Sequence, residues 1–259
     1  MSAAHGSESS DMSTESSDVT RAEVAVTACA ELFRDAGEVL ASPMGLIPSL
    51  GAKLARLTFA PGLLLTDGEA SLLDADGTVE GWQPFKKVLD IVVPHGKRHV
   101  VMGANQIDRF GNQNISAIGA HARPDRQLLG VRGAPGNTVN HRTSYWTPKH
   151  SKRVFVDAVD VVSGVGYDNA RKAGPAASRF HDVHQVVTNL AVLDFDTPDH
   201  SMRLVSVHPG VSIDDVLERT SFPLDTSNVT ESRLPDAEEL RLIREVVDPT
   251  SSRDKEVPS

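Results

Sequence analysis

The stretch 100–119 carries the side chains best suited to chemistry. It begins in a β-type run, 99–102, turns at Gly103-Ala104 and continues into a segment rich in amides, which donate and accept hydrogen bonds without a fixed charge. A strand that ends in glycine and becomes polar is typical of a ligand crevice, which in open α/β sheets lies at the carboxyl ends of the strands. An ordinary polar loop is the alternative, since Gly and Asn are common in turns. The candidate side chains are those of Asn105, Gln106, Asp108, Asn112 and Asn114.

A second candidate site is the segment Thr66-Asp67-Gly68-Glu69, which follows the apolar run 62–66. If the two carboxyl groups lie close together and partly desolvated, one of them takes a raised pKa and can serve as a general acid or base. A turn followed by a carboxylate at a helix N-terminus explains the same residues. The sequence leaves both interpretations open.

The loop 131–141 is a third candidate, because its backbone N–H groups could hold an anion or an oxyanion. A tight turn is again the alternative. We expect substrate contacts from Gly133, Gly136, Asn137, Asn140 and His141. The chain has neither a Walker loop nor a G-x-G-x-x-G motif, and the pair His181 and His184 lacks the H-E-x-x-H context of a metal site, so we predict no metal ligands.

Composition narrows the class of protein. The chain has 259 residues, 39% of them hydrophobic, a net charge of -9 and a pI of about 5.5. A nucleic-acid binder would show a basic stripe, and a membrane span would need about 20 consecutive apolar residues; the sequence has neither. The single Cys29 forms no internal disulfide, and the N-terminus lacks the pattern of a signal peptide. We therefore expect a cytoplasmic protein that binds neither nucleic acid nor membrane.

The helices and strands expected to position these residues predict one α/β domain over residues 20–250. A capping box, Thr20-x-x-Glu23, starts a helix, and strands at 38–41 and 62–66 flank a helix at 49–57 in a βαβ unit. Further strands are expected at 153–162, 186–195 and 202–208, the last two as an antiparallel hairpin, followed by helices that begin after Ser212 and Asp236. These elements predict a mostly parallel open sheet with helices on both faces and an antiparallel hairpin near the C-terminus. Residues 1–19 are expected to be a disordered tail and residues 251–259 a polar C-terminal tail.

The motif GANQIDRFGNQNISAIG resembles the G-A-x-Q-x-D-x-x-G-N-x-N segment of class I CoA-transferase β subunits, which lies along the CoA thioester site. The same family is matched, in order, by LLTDGEA at the position of its S-E-N-G segment, by RGAPGNTVN, by VVTNLAVLDF and by VHPGVSIDDVLERTSF. The resemblance implies an acyl-CoA substrate, no separate cofactor, and a related α subunit as the partner in an α2β2 assembly with the site at the subunit interface.

Two departures bear on the reaction. The family's nucleophilic glutamate has no counterpart here, because Asp67 lies nearest to its position and is one methylene shorter, while Glu69 is displaced by two positions. The phrases GVRGAPGNTVNHRTSYW, EGWQPF and SSRDKE resemble the branch of the family that hydrolyses a carbon–carbon bond in a cyclic keto acyl-CoA from the C and D rings of cholesterol.

In that branch the main catalytic glutamate comes from the α subunit. The resemblance then implies that Asp67, Glu69, Asn105 and Gln106 assist catalysis and that Gly103, Ala104 and the other polar candidates contact the substrate. A true CoA-transferase β subunit, with Asp67 or Glu69 as the nucleophile, and a non-catalytic stabilising subunit are the alternatives.

Overall fold

The computed structural model describes residues 19–67, 71–82, 97–131 and 133–258. Nearly all of the predicted disordered tail, Glu69 and the segment 83–96 therefore lie outside the described residues. The helices are α1 (Arg21–Glu31), α2 (Leu46–Leu57), α3 (Ala134–Asn140), α4 (Tyr167–Ala173), α5 (Pro175–Ser178), α6 (Ile213–Leu217), α7 (Ala237–Arg241), which continues as a π-helical segment (Leu242–Val247), and α8 (Arg253–Glu256).

The strands that form the main sheet are β1 (Leu40–Pro43), β2 (Leu64–Thr66), β3 (Ser71–Leu73), β4 (Val79–Trp82), β5 (Arg98–Gly103), β10 (Arg142–Thr147), β11 (Asp182–Thr188), β12 (Ala191–Asp194), β13 (Arg203–Val207) and β14 (Thr230–Glu231). Two small hairpins pair β6 (Gln106–Ile107) with β7 (Gln113–Asn114), and β8 (Ala117–Ile118) with β9 (Arg126–Gln127).

The main sheet has the strand order β14-β13-β12-β11-β10-β5-β1-β2-β3-β4. Its central strands, from β2 through β1, β5 and β10 to β11, are parallel, and antiparallel strands flank them on both sides. The predicted parallel βαβ unit and the antiparallel pair β12–β13 are both confirmed.

Apolar runs in the central strands serve two cores at once. Successive residues point to opposite faces of a sheet, and Val100 and Tyr145 pack in one core while Val101 and Trp146 pack in the other. The helices α1 and α2 and the π-helical segment cover the core that contains Val101 and Trp146. The helices α3 and α6 cover the core that contains Val100 and Tyr145. Both faces are buried, which is why the strands read as continuous apolar segments. The predicted fold class is confirmed.

The helices α1 and α2 cross at close range. A Cβ atom added to Gly51 would lie 2.7 Å from the Cβ of Cys29, so only glycine allows this approach. Burial raises the pKa of the Cys29 thiol, with the Glu256 carboxylate adding to the effect. Cys29 is therefore a packing residue and not a nucleophile.

The segment 153–162 does not form the predicted strand. Its β-branched residues suggested one, but the segment consists of a turn, bends and irregular backbone, and only Phe155 forms an isolated bridge, with Ile107. The buried Phe155 ring anchors the segment, while the carboxylate of Asp160 accepts the Gly119 N–H at 2.9 Å. Tertiary contacts thus override the local preference for a strand.

The predicted strand 186–195 is divided between β11 and β12. The Thr188 hydroxyl accepts the N–H groups of Leu190 and Ala191, each at 3.0 Å, and so closes a tight turn after β11. β12 then runs back antiparallel, with Val192 opposite Val187. A hydroxyl within an apolar run was the signal for this turn.

Residues 251–258 pack against the fold, whereas a polar tail was predicted for 251–259. Arg253 is 4% exposed, and Val257 lies in the core beside α1 and α2. The Trp146 indole also donates to the Glu256 carboxylate at 2.6 Å. The polar composition reflects buried ion pairs, which a sequence pattern cannot distinguish from a solvated tail.

Glu23 joins the two ends of the chain. Its carboxylate accepts the Thr20 N–H at 2.9 Å in the capping box, the Arg244 guanidinium at 2.7 Å and the Arg253 guanidinium at 3.0 Å. Burial would raise its pKa, but the hydrogen bonds and charges of these partners hold the pKa of Glu23 below its usual value. We expect Glu23→Gln to lower the free energy of unfolding by about 2 kcal/mol at pH 7, because the buried Arg253 keeps Asp248 but loses its charged contact with Glu23, and Arg244 loses the same carboxylate.

Urea unfolding measures this change directly. Glu238→Gln is the matched control, since Glu238 pairs with Arg241 on the surface and its loss should cost less than about 0.5 kcal/mol. Equal stabilities of the two variants would show that Glu23 does not hold the ends together.

His150 makes the fold sensitive to acid. Its ring stacks on Phe155 at 3.9 Å between centroids, and its nitrogens lie 3.2 Å and 3.0 Å from the hydroxyls of Thr188 and Thr220. Burial, assisted by the charge of Arg219, lowers the pKa of His150 to about 3. In the unfolded chain the pKa of a histidine is about 6.5. As the pH falls below that value, His150 is protonated in the unfolded state but stays neutral in the native state. His150 therefore stabilises the fold fully above about pH 6.5 and progressively less below it.

Between pH 6.5 and pH 4.5 the free energy of unfolding falls as the pH falls. We expect His150→Gln to make this slope shallower by roughly 1.4 kcal/mol per pH unit. Urea midpoints at the two pH values measure the slope. His121→Gln, at an exposed position, is the control and should retain the full slope of the unmodified protein. A slope unchanged in His150→Gln would assign the acid sensitivity to other groups.

Candidate active site

The carboxyl ends of the parallel strands bring two candidate segments to one edge of the sheet. Asp67 directly follows β2, and Gly103 is the last residue of β5. Only β1 lies between these two strands, so they are two strand spacings, or about 10 Å, apart. A crevice at this edge would be lined by both segments.

Asp67 closes a hairpin between β2 and β3. Its N–H donates to the Ser71 carbonyl at 3.1 Å, and its carboxylate accepts the Ser71 N–H, also at 3.1 Å. The chain turns back as a strand, so the interpretation of this segment as a helix start is wrong. Glu69 lies outside the described residues, so the distance between the two carboxyl groups is not defined. A general acid or base at Asp67 or Glu69 stays a prediction.

Gly103 and Asn105 are exposed at the end of β5. A Cβ atom on Gly103 would meet nothing nearer than the Trp146 carbonyl at 4.0 Å, so the space above this glycine is open to a ligand. The Asn105 N–H donates to the Asn114 carbonyl at 3.0 Å, whereas its side-chain amide forms no hydrogen bond within the described part of the chain. Ala104 is half-buried between them. The Gly103 carbonyl accepts from the Gln113 amide, so this segment offers a ligand the Asn105 side-chain amide and the open space beside Gly103.

Gln106 and Asn114 face inward. The Gln106 side-chain carbonyl accepts from the Asn114 amide at 2.7 Å and from the Asp160 N–H at 3.0 Å, and its amide donates to the Asp160 carboxylate at 3.0 Å. Asn114 is fully buried, and its remaining groups bond to Ser116 and Ala117. We predicted a catalytic role for Gln106 and a substrate contact for Asn114. In the structure both side-chain amides are hydrogen-bonded within the protein, where they hold the loop after β5.

Asp108 and Asn112 form a second internal network. The Asp108 carboxylate accepts the Phe110 N–H at 3.0 Å and the Asn112 amide at 2.9 Å; burial raises the pKa of Asp108, and these hydrogen bonds oppose the rise. Asn112 also donates to Asp168 at 2.8 Å and accepts the Gly166 N–H at 2.7 Å. We predicted that Asp108 and Asn112 contact the substrate. In the structure their side chains make hydrogen bonds that fold the loop 108–112.

Asn137 is the polar residue of the third candidate segment that lies nearest the crevice. The expected loop is the helix α3, which begins with Pro135 in its first turn, where a fixed φ favours a helix. On α3 the Asn137 side-chain carbonyl accepts from the Arg98 guanidinium at 2.9 Å, and its amide nitrogen lies 3.9 Å from the sulfur of Met102, near the end of β5. The Asn137 amide is buried and points along β5 toward Met102, one residue before the end of the strand.

Arg98 is a functional candidate that sequence reasoning missed. It opens the apolar strand β5 and is 9% exposed, with Nε donating to the Ser42 hydroxyl at 2.8 Å. Within the described part of the chain it has no carboxylate partner. A charged residue at the start of a buried strand was the available signal. Its charge-assisted bond to the Asn137 carbonyl polarises that amide and strengthens it as a donor.

His141 and Asn140 lie away from the other candidates. His141 directly precedes β10, at the amino edge of the sheet, and β5 with its six residues spans about 20 Å between the two edges. Asn140 is exposed at the end of α3 and donates to the Gly136 carbonyl at 2.8 Å. Gly133 precedes α3 at its opposite end. His141 and Asn140 therefore lie apart from Gly103, and their predicted substrate contacts stay a prediction.

No group of three or more His, Cys, Asp or Glu side chains in the described ranges is placed to hold a metal ion. Among those same ranges, none of the helices has the length and apolar character needed to cross a membrane.

The chain matches known proteins along most of its length. Residues 90–219 match the coenzyme A transferase family model. The cholesterol ring-cleaving hydrolase IpdB subunit of Mycobacterium tuberculosis strain H37Rv is 58% identical over 250 residues, which cover 93% of this chain and 99% of that protein. The crystal structure of Rhodococcus jostii RHA1 IpdAB superposes with a TM-score of 0.87 at 56% identity, covering 93% of this chain and 100% of the matched chain. A glutaconate CoA-transferase subunit of Acidaminococcus fermentans is 35% identical over 150 residues, which are 57% of this chain and 56% of that protein.

Proposed function

Because this chain belongs to the coenzyme A transferase family, we propose that it is the β subunit of a heteromeric hydrolase that opens a ring of a cyclic keto acyl-CoA from cholesterol degradation. The observation that carries the proposal is the near full-length likeness to a ring-cleaving hydrolase subunit. The departure from the family's nucleophilic glutamate at Asp67 supports the same function, because hydrolysis by water needs no such nucleophile.

The reaction adds water across a carbon–carbon bond. Water attacks the ring ketone, and the bond from the ketone carbon to the carbon beside the thioester breaks. The electron pair of that bond becomes a thioester enolate, which then takes a proton at carbon. The product carries a new carboxylate and keeps its CoA. The difficult step forms the enolate, so donors aimed at its oxygen contribute most to catalysis.

This chain supplies such donors at the carboxyl edge. The exposed amide of Asn105 at the end of β5 is one side chain available to an enolate oxygen. The Asn137 amide, held by Arg98, is the second, and it reaches that oxygen in exchange for its weak contact with the Met102 sulfur. Gly103 allows the thioester to approach the backbone closely. The Asp67 carboxylate, across β1 from this point, orients the attacking water or the proton donor.

The main base is a glutamate of the α subunit, in an assembly of α2β2 composition with the crevice at the subunit interface. No separate cofactor enters the chemistry, since CoA is part of the substrate. The enzyme acts in the cytoplasm.

A true CoA-transferase is the second candidate, which the likeness to a glutaconate CoA-transferase subunit favours. It requires Asp67 or Glu69 to attack the thioester and to carry CoA covalently. The shorter side chain of Asp67 and the displacement of Glu69 argue against it.

The two functions differ in whether the enzyme itself carries CoA. We would purify the chain with its partner subunit, mix the complex with the cyclic keto acyl-CoA and a labelled free acid, and record intact masses and the label in CoA esters. The hydrolase predicts no CoA adduct on this chain and no labelled ester. A CoA adduct that forms and disappears as labelled ester accumulates would establish the transferase.

A further inference from the structure

A cavity of about 460 Å³ opens at the amino edge of the parallel strands, where β1, β5, β10 and β11 begin. Gly103 lies at the other edge, about 20 Å away along the six residues of β5. Of the lining of this cavity, the chemistry proposed above uses Arg98 alone, through its hydrogen bond to Asn137. Its polar and aromatic lining includes Lys97, Arg98, His141, Arg142, Arg179 and Phe180.

The lining is positively charged although the chain is acidic, with 26 Lys and Arg against 35 Asp and Glu. Four cationic side chains reach the cavity, and Asp182 is the carboxylate that accompanies them. Asp182 bonds to Arg142 at 2.8 Å. Lys97, Arg98 and Arg179 have no carboxylate partner among the residues that the structure describes. A concave site with three unpaired cations concentrates anions.

Arg98 places one of these charges inside the protein. Its Nε and Nη1 are occupied by Ser42 and Asn137, but Nη2 donates no hydrogen bond to any described residue. Burial lowers the pKa of Arg98 to about 10, so the guanidinium remains charged at pH 7. A buried cation with free donors and no counter-ion interacts strongly with an anion that reaches it.

His141 adds an unpartnered polar atom. The residue is 3% exposed, and its Nε2 is buried without a hydrogen-bond partner in the described part of the chain. Burial, assisted by the charge of Arg98, lowers the pKa of His141 to about 4, so the ring is neutral at pH 7 and can donate or accept one hydrogen bond. Buried polar atoms are normally satisfied, and an oxygen of a ligand would satisfy this one.

We propose that this cavity binds a phosphate ester, whose phosphate group contacts Arg98, His141, Lys97 and Arg179 and whose organic part lies against Phe180. Three cations match the double negative charge of a phosphate ester better than the single charge of a carboxylate, and the guanidinium fork suits phosphate oxygens. Phe180 is 57% exposed, with the Arg179 guanidinium 4.9 Å from its ring centroid, and offers a flat wall to a planar group.

Calorimetric titration of the complete complex tests the proposal with AMP as the probe and adenosine as its phosphate-free counterpart. AMP is expected to bind, adenosine to bind at least tenfold more weakly, and the double variant Lys97→Gln/Arg179→Gln to lose at least tenfold in AMP affinity. These side chains are exposed, so the variant should fold normally. The double variant Arg241→Gln/Lys255→Gln removes the same charge at remote exposed positions and should bind AMP like the unmodified complex.

Three results would overturn the proposal. They are equal affinities for AMP and adenosine, equal AMP affinities of the two double variants, and failure of the complex to bind AMP. If Lys97→Gln/Arg179→Gln no longer retains the partner subunit, the cations serve the subunit interface and not a ligand.

Discussion

Replacing Asn137 with aspartate is expected to lower turnover by at least about a hundredfold while leaving the fold at least as stable as before. The carboxylate keeps an acceptor for the Arg98 guanidinium, so the buried contact that now measures 2.9 Å persists as an ion pair. The N–H groups of the amide are lost, and a negative charge stands where the enolate oxygen develops. The loss corresponds to one oxyanion donor, about 3 kcal/mol. Steady-state turnover and a thermal melt of the complex measure the two effects.

Asn228→Asp is the matched control, since it makes the same chemical change at an exposed position, where the side-chain amide donates to the Ser227 hydroxyl at 3.4 Å. It should change neither turnover nor stability. Full activity of Asn137→Asp would remove Asn137 from the mechanism. A drop in activity that follows only from loss of the partner subunit would support the non-catalytic alternative.

The second large effect is expected at Asp67. Changing Asp67 to asparagine should lower turnover by roughly a thousandfold, within the range of general acid–base contributions, because the attacking water or proton donor loses its oriented carboxylate. The asparagine side-chain carbonyl still accepts the Ser71 N–H that now lies 3.1 Å away, so the hairpin between β2 and β3 should remain intact.

Asp225→Asn provides the control, because the Asp225 carboxylate accepts a backbone N–H, that of Ser227, at 2.9 Å in a turn remote from the crevice. The rate and the free energy of unfolding are compared for both variants. If Asp67→Asn keeps its rate, the second carboxyl of the segment, Glu69, becomes the residue to test. If both variants lose stability equally, Asp67 acts only through its turn.

The sheet was predictable from sequence because its central strands are buried on both faces. A continuous apolar run such as the one that contains Val100 and Val101 is typical of a strand covered on both sides, and the capping boxes at Thr20, Ser212 and Asp236 fixed the starts of three helices. Each of these signals is local, and local signals agree with the fold here.

The errors arose where distant residues decide the structure. Pro135 and the burial of Asn137 turn an expected loop into α3, and the ion pairs of Arg253 turn an expected tail into part of the core. The roles of the amides were hidden for the same reason. Asn105 and Asn112 are asparagines of the same motif. The Asn112 side chain is buried and hydrogen-bonded through both its amide and its carbonyl, whereas Asn105 is exposed.

Arg98 shows the limit most clearly. Its partners, Ser42 and Asn137, lie 56 and 39 positions away in sequence, and no pattern within β5 indicates that a cation there orients an amide on α3. The carboxyl-edge rule located the crevice. The choice of donors within it required the hydrogen-bond network.

This chain and its α partner are expected to add one water to a ring of the acyl-CoA and to leave the thioester intact. The most direct measurement is the mass of the product formed from the cyclic keto acyl-CoA by the complex in water enriched in oxygen-18, with no acceptor acid present. Hydrolytic ring opening gives a product that is heavier by one water, carries the heavy oxygen in its new carboxylate, and still contains CoA. Release of free CoA with the ring closed, or an unchanged substrate that reacts only when a second acid is supplied, would contradict it.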